Sequence, residues 1–308
     1  MITSMLPVER DQGLGAFVAS QIEAIRALGV LVDVEFLDIQ RSKCELVRGI
    51  RDVRRKLRTG RYDLAHVHFG YNGIPACLQS KIPVVVSFCG TDLASPKFRT
   101  ISRWVSRRAE ACIVKSVEMQ QYLDVPSIVI PNGIDMERFR PISRRQARKT
   151  LGLSEEKRYV LFISNPERPE KRFALANDAI KRVRGKGKEV EPLVVFNKPH
   201  SELPTYMNAA DLLILTSSRE GSPNTIKEAM ACNLPIVSTD VGDVRKVIGG
   251  TENCVLAEAS PDDIANGIEQ ILDTSRRTNG RLNMEALSSV AISHRVVHIY
   301  QNVVERRS

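Results

Sequence analysis

Residues 211–240 read DLLILTSSREGSPNTIKEAMACNLPIVSTD, and this stretch decides the fold. It begins and ends with continuous apolar runs, DLLILTS (211–217) and LPIVSTD (234–240). Short apolar runs bounded by polar turn residues are typical of buried strands. Residues 224–232, between the two runs, have the spacing of a helix and follow a loop. A strand, a loop, a helix and a second strand in this order predict one crossover unit of a parallel sheet.

The same alternation continues through most of the chain. Further strands are predicted at 31–38, 63–70, 82–89, 111–115, 127–131, 158–164 and 191–197. A short first strand is expected between Met1 and Met5; either the strand itself is short or the true start lies upstream. Segments 16–28 and 46–57 have the periodicity of amphipathic helices. The pattern predicts an α/β protein with parallel sheets that carry helices on both faces.

A pause in the alternation divides the chain. PNGIDMERFRP (131–141) is rich in turn residues, and the chain of 308 residues suits two domains of roughly 100–200 residues each. We therefore predict an N-terminal domain over 1–141 and a C-terminal domain over 142–290. The final segment, 291–308, is predicted to be a helix that either packs on the second domain or crosses back to the first.

The composition matches an ordinary globular protein, with 43% hydrophobic and 26% charged residues. It excludes a wholly disordered, collagen-like or coiled-coil chain. No apolar run approaches the roughly 18 residues of a membrane span, and the first residues lack the basic and apolar segments of a secretory signal. The 6 cysteines include no CxxC pair. These features predict a cytoplasmic protein with reduced thiols.

The excess positive charge lies in the first half of the chain. Residues 1–150 contain 24 Lys and Arg against 15 Asp and Glu, whereas 151–308 contain 21 of each. The basic residues concentrate in 48–61, 97–108 and 138–149. They form either a solvated surface or a face for an anionic partner such as membrane lipid, a phosphorylated substrate or nucleic acid. We expect no nucleic-acid partner, because aromatic residues make up 5% of the chain and no DNA- or RNA-binding motif occurs.

Two carboxylates flank the start of the helix in the 211–240 stretch. Glu220 lies in the loop before the helix, and Glu228 lies about one turn inside it. The backbone amides from Gly221 to Thr225 precede or begin this helix, where peptide dipoles favour an anion such as phosphate. Carboxylates repel a phosphate, but they accept hydrogen bonds from hydroxyl groups next to it. A ribose and a sugar ring joined by a diphosphate supply such hydroxyl groups.

The stretch resembles the signature of glycosyltransferase family 4, the group 1 glycosyl transferases, whose members are retaining enzymes of the GT-B fold. The residues that match the signature are Glu220, Gly221, Asn224, Glu228, Ala229, Met230 and Pro235. Segments 13–29, 63–70, 131–141 and 206–221 resemble other parts of the same family. The resemblance covers nearly the whole chain. It implies two Rossmann-like domains whose parallel sheets face a central cleft.

In this family the second domain holds a nucleotide-diphosphate sugar and the first domain holds the acceptor. The resemblance implies that Glu228 binds the ribose hydroxyls and that Glu220 contacts the transferred sugar. Lys171 matches the family lysine that binds the diphosphate. Pro166 occupies the position of the family arginine, so Arg168, two residues later, is assigned to that role. The alternative is that Arg168 and Lys171 are an exposed pair of surface charges.

Further donor contacts are expected from backbone groups. The start of the helix is expected to provide them through Gly221, Ser222, Asn224 and Thr225. Gly13 and Gly15 belong to the first loop, whose backbone either approaches a phosphate or forms an ordinary loop. Segment 196–203 is expected to contact the base, mainly through its backbone.

One position departs from the family pattern. After the strand at 82–89 the family has a histidine, but this chain has Cys89, and a thiol cannot replace imidazole as a hydrogen-bond donor near the sugar. Either catalysis uses His68 or Asp92 instead, with His68 assigned to the site here, or the site tolerates the change. Cys89 is otherwise a small buried residue at a strand end. His66 is expected to be a core histidine with its hydrogen bonds satisfied.

The resemblance, together with these features, implies a hexosyltransferase that moves a sugar from a nucleotide-diphosphate sugar to an acceptor hydroxyl with retention of configuration. No cofactor and no metal are expected, since the DxD triplet of metal-dependent glycosyltransferases does not occur. UDP-sugars are candidate donors, alongside GDP- and ADP-sugars. The expected acceptor is a lipid-linked or polysaccharide glycan of the bacterial surface. It would be reached either from the cytoplasm or by peripheral binding to the inner face of the membrane.

Three other functions are weighed against this prediction. A nucleotide-sugar epimerase of the same fold also uses paired carboxylates, although its signature resembles 217–237 less closely. A non-catalytic homologue that only binds the donor is favoured by Cys89 and by the short first strand. A nucleic-acid-binding protein is favoured only by the basic first half.

Overall fold

The computed structural model describes residues 1–8, 15–37 and 43–307. These residues form two compact units: the first contains 1–8, 15–133 and 289–307, and the second is Ile134–Ser288. The two ends of the second unit meet, because the Ile134 N–H donates to the Leu287 carbonyl at 2.9 Å. The sequence analysis predicted the first division between residues 141 and 142 and the second between residues 290 and 291. The turn-rich segment 131–141 therefore contains the passage from the first unit to the second.

The first unit is built around a parallel sheet. Its strands are β1 (Ile2–Thr3), β2 (Glu35–Phe36), β3 (Ala65–His68), β4 (Val84–Ser87), β5 (Ala111–Val114) and β6 (Ile128–Val129). Their order across the sheet is β2-β1-β3-β4-β5-β6, and each pair is parallel. The predicted strands at 31–38 and 127–131 shorten to two residues each. Both lie at an edge of the sheet, where a strand has a neighbour on one side only.

The second unit is built around another parallel sheet. Its strands are β7 (Arg158–Ile163), β8 (Val190–Val195), β9 (Leu212–Leu215), β10 (Ile236–Thr239) and β11 (Cys254–Ala257). Their order is β11-β10-β9-β7-β8, again with parallel pairs. The predicted alternation of strands and helices in parallel sheets is confirmed. β11 corresponds to no predicted strand; its sequence is CVLA, and its first three residues are only partly buried, so no buried apolar run marks it.

The helices connect the strands. In chain order they are α1 (Ala16–Ala27), α2 (Lys43–Thr59), α3 (Ile74–Cys77), α4 (Thr91–Ala94), α5 (Pro96–Ser106), α6 (Arg144–Leu151), α7 (Phe173–Gly185), α8 (Leu203–Ala209), α9 (Asn224–Ala231), α10 (Val244–Ile248), α11 (Pro261–Thr274) and α12 (Ser289–Glu305). Throughout the described ranges, no helix has both the length and the apolar character needed to cross a membrane.

The terminal helix α12 belongs to the first unit. Its Tyr300 hydroxyl lies 2.5 Å from Nδ1 of His66 in β3, and the Arg307 guanidinium just beyond it donates to the Ser80 carbonyl at 3.2 Å. The sequence analysis left two alternatives for the final segment, packing on the second domain or a return to the first. In the structure the helix returns to the first unit.

The second sheet is covered on both faces. Successive side chains of a strand point to opposite faces, and along β7 Leu161 joins a core with α8 and α9 while Val160 and Phe162 join a core with α7 and α11. Because both faces are buried, the strands are apolar at nearly every position. The strands themselves therefore provide few polar groups, and the candidate site residues of this unit lie in the segments that follow the strands.

Candidate active site

The second sheet has a topological switch point at β7. This strand is the first of its unit along the chain, and it pairs with β8 on one side and with β9 on the other. In open parallel sheets, ligands bind outside the carboxyl ends of the strands at such a point. The loops that follow β7, β8 and β9 all leave from this edge, and they carry the candidate residues of the second unit.

A lysine and a glutamate meet at this edge. Lys171 follows β7 and Glu220 follows β9, and Nζ of Lys171 donates to Oε1 of Glu220 at 2.5 Å. The Ser217 hydroxyl donates to the same oxygen at 2.7 Å. The lysine and glutamate side chains are 19% and 17% exposed, so the pair is shielded from bulk water but still accessible. The structure therefore brings together two predicted site residues that are 49 positions apart in sequence.

Backbone contacts hold Lys171 in place. It ends a short 3₁₀ helix, Pro169–Lys171, and the next residue, Arg172, has a φ of 49°. The Arg172 guanidinium donates to the carbonyls of Thr216 at 2.6 Å and Ser217 at 2.8 Å. The Thr216 hydroxyl donates in turn to the Lys171 carbonyl at 2.8 Å. These contacts tie the loop after β7 to the end of β9. The sequence analysis missed Arg172, which no motif distinguishes from its neighbours.

The second carboxylate, Glu228, lies in α9 and is almost fully buried. Its Oε1 lies 2.7 Å from Nε2 of His200, in the loop after β8. On its other side, His200 Nδ1 lies 3.5 Å from the Arg138 guanidinium, and its ring packs against Phe139 with centroids 5.1 Å apart. The sequence analysis named segment 196–203 for backbone contacts and missed the His200 side chain. A single histidine in a polar loop has no periodic signal that would identify it.

The loop between the two carboxylates is supported by the loop after β10. The Ser222 hydroxyl donates to Oδ2 of Asp243 at 2.6 Å, and the ammonium of buried Lys227 donates to the Ser222 oxygen at 2.7 Å. Gly242, next to Asp243, has a φ of +57°, and a Cβ added there would overlap the carbonyl oxygen of Gly221. Ser222 and Gly221, both predicted donor contacts, therefore lie in a loop whose position is set by β10.

The start of α9 lies beside the Lys171–Glu220 pair. The helix begins at Asn224, after Pro223, which provides no side-chain cap. Thr225, the second residue of the helix, lines a small cleft together with Lys171 and Ser164. A cation, hydroxyl groups and a helix N-terminus around one cleft are the chemistry that a diphosphate requires. Asn224 and Thr225, predicted as donor contacts, are thus at the same edge as Lys171.

Arg168 is placed differently from Lys171. Its guanidinium forms an ion pair with Oε1 of Glu170 at 2.5 Å, and its side chain is 56% exposed. The Glu170 carbonyl accepts from the Ser218 N–H at 2.8 Å, so Glu170 belongs to the same tied loops. Arg168 therefore lies at the solvent side of the site, whereas Lys171 lies inside it.

Two histidines end strand β3 of the first unit. His66 bonds through Nε2 to the Ser87 hydroxyl at 2.8 Å and through Nδ1 to Tyr300, and it is the satisfied core histidine that was predicted. His68, the predicted catalytic histidine, is completely buried. Neither of its ring nitrogens has a hydrogen-bond partner among the residues that the structure describes. Burial lowers the pKa of His68 well below its usual value, so its ring is neutral.

Cys89 lies in the loop after β4, and Asp92 lies in α4, which follows that loop. Oδ1 of Asp92 accepts from the N–H groups of Cys89 at 3.1 Å and Gly90 at 2.9 Å, and Oδ2 accepts from the Gly70 N–H at 2.9 Å. Asp92 therefore joins the loops after β3 and β4, which accounts for its complete burial. Burial raises the pKa of the Cys89 thiol to about 12, so this residue remains a protonated thiol at neutral pH.

The first loop is described in part. Gly13 lies outside the described residues. Gly15 precedes α1 with a φ of +63°, and a Cβ added there would overlap the backbone of Met5. Glycine at position 15 is therefore required by the close approach of the segment after β1. Over the ranges given above, no three His, Cys, Asp or Glu side chains form a group that could hold a metal ion.

Family models match both units. Residues 14–138 match the model described as Glycosyltransferase Family 4, and residues 157–274 match the model described as Glycosyl transferases group 1. Both models describe glycosyltransferases, and each unit of the chain matches one of them. The resemblance found in the signature within 211–240 is thereby confirmed, and the second match contains both Lys171 and the two carboxylates of that signature.

Named relatives of this family include bacterial glycan enzymes. The chain is 31% identical, over 192 residues, to the lipopolysaccharide core biosynthesis mannosyltransferase LpsB of Rhizobium meliloti, with 52% of this chain and 54% of the relative covered. It is 27% identical, over 235 residues, to the putative teichuronic acid biosynthesis glycosyltransferase TuaC of Bacillus subtilis, with 67% and 60% covered. The chain thus spans a little over half the length of these relatives.

Solved structures of the same fold cover nearly the whole chain. Sucrose-phosphate synthase from Thermosynechococcus elongatus superposes with a TM-score of 0.78 at 17% identity, covering 99% of this chain and 100% of that one. Alr3699/HepE from Anabaena, solved in complex with UDP, superposes with a TM-score of 0.73 at 17% identity, covering 98% and 99%. These glycosyltransferase neighbours have the GT-B fold that the sequence predicts.

Proposed function

We propose that this chain is a retaining glycosyltransferase that moves a sugar from a nucleotide-diphosphate sugar to an acceptor hydroxyl without a metal ion. The observation that carries the proposal is the contact of 2.5 Å between Lys171 and Glu220 at the switch point of the second sheet. A cation beside a carboxylate matches two neighbouring parts of the donor, because an ammonium binds the diphosphate and a carboxylate accepts from sugar hydroxyls.

Each charged group has a role in the donor complex. The Lys171 ammonium turns from Glu220 to the diphosphate and stabilises the negative charge that this leaving group gains. Glu220 is then free to accept hydrogen bonds from the transferred sugar. Glu228, which His200 holds at 2.7 Å, accepts from the ribose hydroxyls. Arg168 is an outer cation that can reach the diphosphate from the solvent side.

The transfer needs no protein nucleophile. The acceptor oxygen forms a bond to the anomeric carbon on the face from which the diphosphate departs, so the configuration is retained. The bond between the anomeric carbon and the phosphate oxygen breaks, and its electron pair goes to the nucleoside diphosphate. The acceptor proton passes to the same phosphate oxygen. His68 stays a predicted catalytic residue in this scheme, and Gly13 and Gly15 stay predicted donor contacts.

The acceptor is proposed to be a lipid-linked or polysaccharide glycan of the bacterial surface. The relatives named for lipopolysaccharide core and teichuronic acid synthesis support this class of acceptor. The basic first half supports binding to the inner face of an anionic membrane. In α2, Val53 and Leu57 are buried while Arg54, Arg55 and Arg58 are exposed, so one helix face offers cations to a surface.

Substitution of Glu228 by glutamine is expected to weaken binding of the nucleotide by about 10- to 100-fold, the usual worth of hydrogen bonds to a charged acceptor. The measurement is protection against heat by a panel of UDP-, GDP- and ADP-sugars, followed by titration of the one that protects most. Turnover of that donor is then measured with and without EDTA. Conversion of the donor in the absence of any acceptor would favour an epimerase, and binding without turnover would favour a non-catalytic homologue.

Glu252→Gln is the matched control for this experiment. Glu252 lies in the second unit just before β11, is exposed, and carries the same charge. Its replacement is expected to leave donor binding unchanged. Equal protection of the parent chain and of the Glu228→Gln variant by the donor would contradict the assignment of Glu228.

The triple change of Arg54, Arg55 and Arg58 to glutamine is expected to weaken binding to anionic vesicles by about 1 kcal/mol for each charge removed. The measurement is co-sedimentation with vesicles containing phosphatidylglycerol at low and at physiological salt. Sedimentation is expected to fall with salt, because these exposed charges are screened.

The control for vesicle binding removes the same number of charges from the second unit. Lys181, Arg182 and Arg184 are exposed on α7, and their replacement by glutamine is expected to leave sedimentation unchanged. Unchanged sedimentation of the α2 variant at low salt would argue against the membrane proposal. The donor-binding proposal would be unaffected by that result.

A further inference from the structure

A second polar cavity lies at the opposite edge of the second sheet from the candidate active site. Its volume is about 280 Å³. Its lining includes Arg158 at the start of β7, Asp211 just before β9, and Arg276 and Arg277 after α11. Arg158 and Asp211 lie at amino ends of strands, whereas Lys171 and Glu220 follow carboxyl ends. The cavity and the candidate active site are therefore separate.

One carboxylate in this lining serves several arginines. Oδ1 of Asp211 accepts from Arg144 at 2.8 Å and from Arg158 at 3.3 Å. Its Oδ2 accepts from buried Arg148 at 2.8 Å and from the Tyr159 N–H at 2.7 Å. Both oxygens of Asp211 are therefore engaged, and one negative charge is shared by three guanidinium groups. The cluster has a net positive charge before the other arginines are considered.

Arg276 and Arg277 add to the excess of positive charge in this cavity. The Arg277 guanidinium donates to neutral acceptors, among them the carbonyls of Ala210 at 3.0 Å and Cys232 at 3.4 Å. Burial lowers the pKa of Arg277 to about 10, which leaves the group charged at neutral pH. Arg276 is exposed at the rim. Positive charge at a partly enclosed site favours an anion, because solvent compensates it incompletely.

We propose that this cavity binds a small oxyanion, a phosphate ester or a phosphate-like group, as a ligand other than the donor. Guanidinium groups bind phosphate in a bidentate manner, and Arg144, Arg158 and Arg276 are the accessible ones here. Ile142, Ile271 and Leu272 line the same cavity and provide an apolar wall for the body of such a ligand. The volume suits a small metabolite.

The test is titration of the full chain with inorganic phosphate and with pyrophosphate, combined with hydrogen–deuterium exchange. The expected result is protection of amides in 142–158 and 271–277. Arg158→Gln and Arg276→Gln are each expected to weaken this binding about tenfold or more, the usual worth of a charge-assisted hydrogen bond. Both side chains are partly or well exposed, so these variants are expected to fold, which far-UV circular dichroism checks.

Two control variants separate the cavity from the donor site. Arg182→Gln removes an exposed charge paired with Asp262 elsewhere in the unit and is expected to leave anion binding intact. Lys171→Met is expected to abolish the protection from hydrogen exchange that the anion gives to residues 216–225. The protection of residues 271–277 is expected to persist in this variant. Protection confined to 216–225, or equal affinity of the parent chain and the Arg158→Gln and Arg276→Gln variants, would overturn the proposal.

Vesicles containing phosphatidic acid distinguish a lipid headgroup from a soluble ligand. If these vesicles protect the amides of 271–277 from exchange while free phosphate does not, the proposal of a small soluble ligand is wrong.

Discussion

Replacing Lys171 by methionine is expected to lower kcat about 10²–10³-fold, the usual cost of removing one preorganised group that stabilises charge in the transition state. The diphosphate gains negative charge only as the glycosidic bond breaks, so the loss in kcat is expected to exceed the loss in donor affinity. Methionine keeps the length and much of the apolar stem of lysine. Steady-state kinetics with the donor identified by thermal protection provide the measurement.

Two other cations serve as comparisons for Lys171. Lys181 is 64% exposed and paired with Asp178, so Lys181→Met is expected to leave kcat unchanged. Arg168, which is 56% exposed, is expected to contribute only a few-fold, because an exposed charge in water interacts weakly. A Lys171→Met variant that folds and keeps the parent kcat would refute the proposed role of Lys171. A large loss of kcat in Arg168→Met alone would assign that role to Arg168 instead.

Replacing Gly242 by alanine is expected to destabilise the second unit by about 3 kcal/mol, because left-handed strain and overpacking add at this position. The φ of Gly242 is +57°, and a Cβ there would overlap the Gly221 carbonyl oxygen and lie 2.9 Å from that of Glu220. Relief requires the loop that carries Glu220 to move. We therefore expect kcat to fall together with the midpoint of urea unfolding.

Gly250→Ala isolates the backbone strain from the overlap. Gly250 also has a positive φ, +73°, but within the part of the chain that the structure describes, no atom beyond its chain neighbours lies within 4 Å of a Cβ built there. Its substitution is expected to cost about 1 kcal/mol from strain alone, with kcat unchanged. Similar unfolding midpoints for the two variants, or an unaltered kcat in Gly242→Ala, would show that the loop after β10 does not support the site.

The pairing of Lys171 with Glu220 could be anticipated from sequence. Each follows an apolar run, and parallel strands leave their carboxyl ends at one edge. The family signature added Glu228 and the start of α9. Arg168 carries the same charge as Lys171 three positions away, but the chain turns within the 3₁₀ helix, so Arg168 faces Glu170 and solvent. Sequence spacing does not resolve a turn of this size.

Other contacts of the site depend on which loops meet. His200 reaches Glu228 because β8 and β9 flank β7, an order across the sheet that chain order does not reveal. Arg172 ties two loops through backbone carbonyls, and every residue has a carbonyl, so no sequence pattern predicts such an acceptor. The four arginines and Asp211 of the second cavity come from separate segments for the same reason.

The amino-acid order was sufficient to predict the class of fold and a division into two units, and to choose Glu220 and Glu228 as candidate site residues. Buried parallel strands are apolar at successive positions, and the signature within 211–240 is continuous in the sequence. Folding in three dimensions was needed to return α12 to the first unit, to bring His200 to Glu228 and to gather arginines at the far edge of the sheet. Those contacts join segments that are distant in the chain. They depend on how the elements pack and on which charges meet in space, and the local periodicity of a sequence contains neither kind of information.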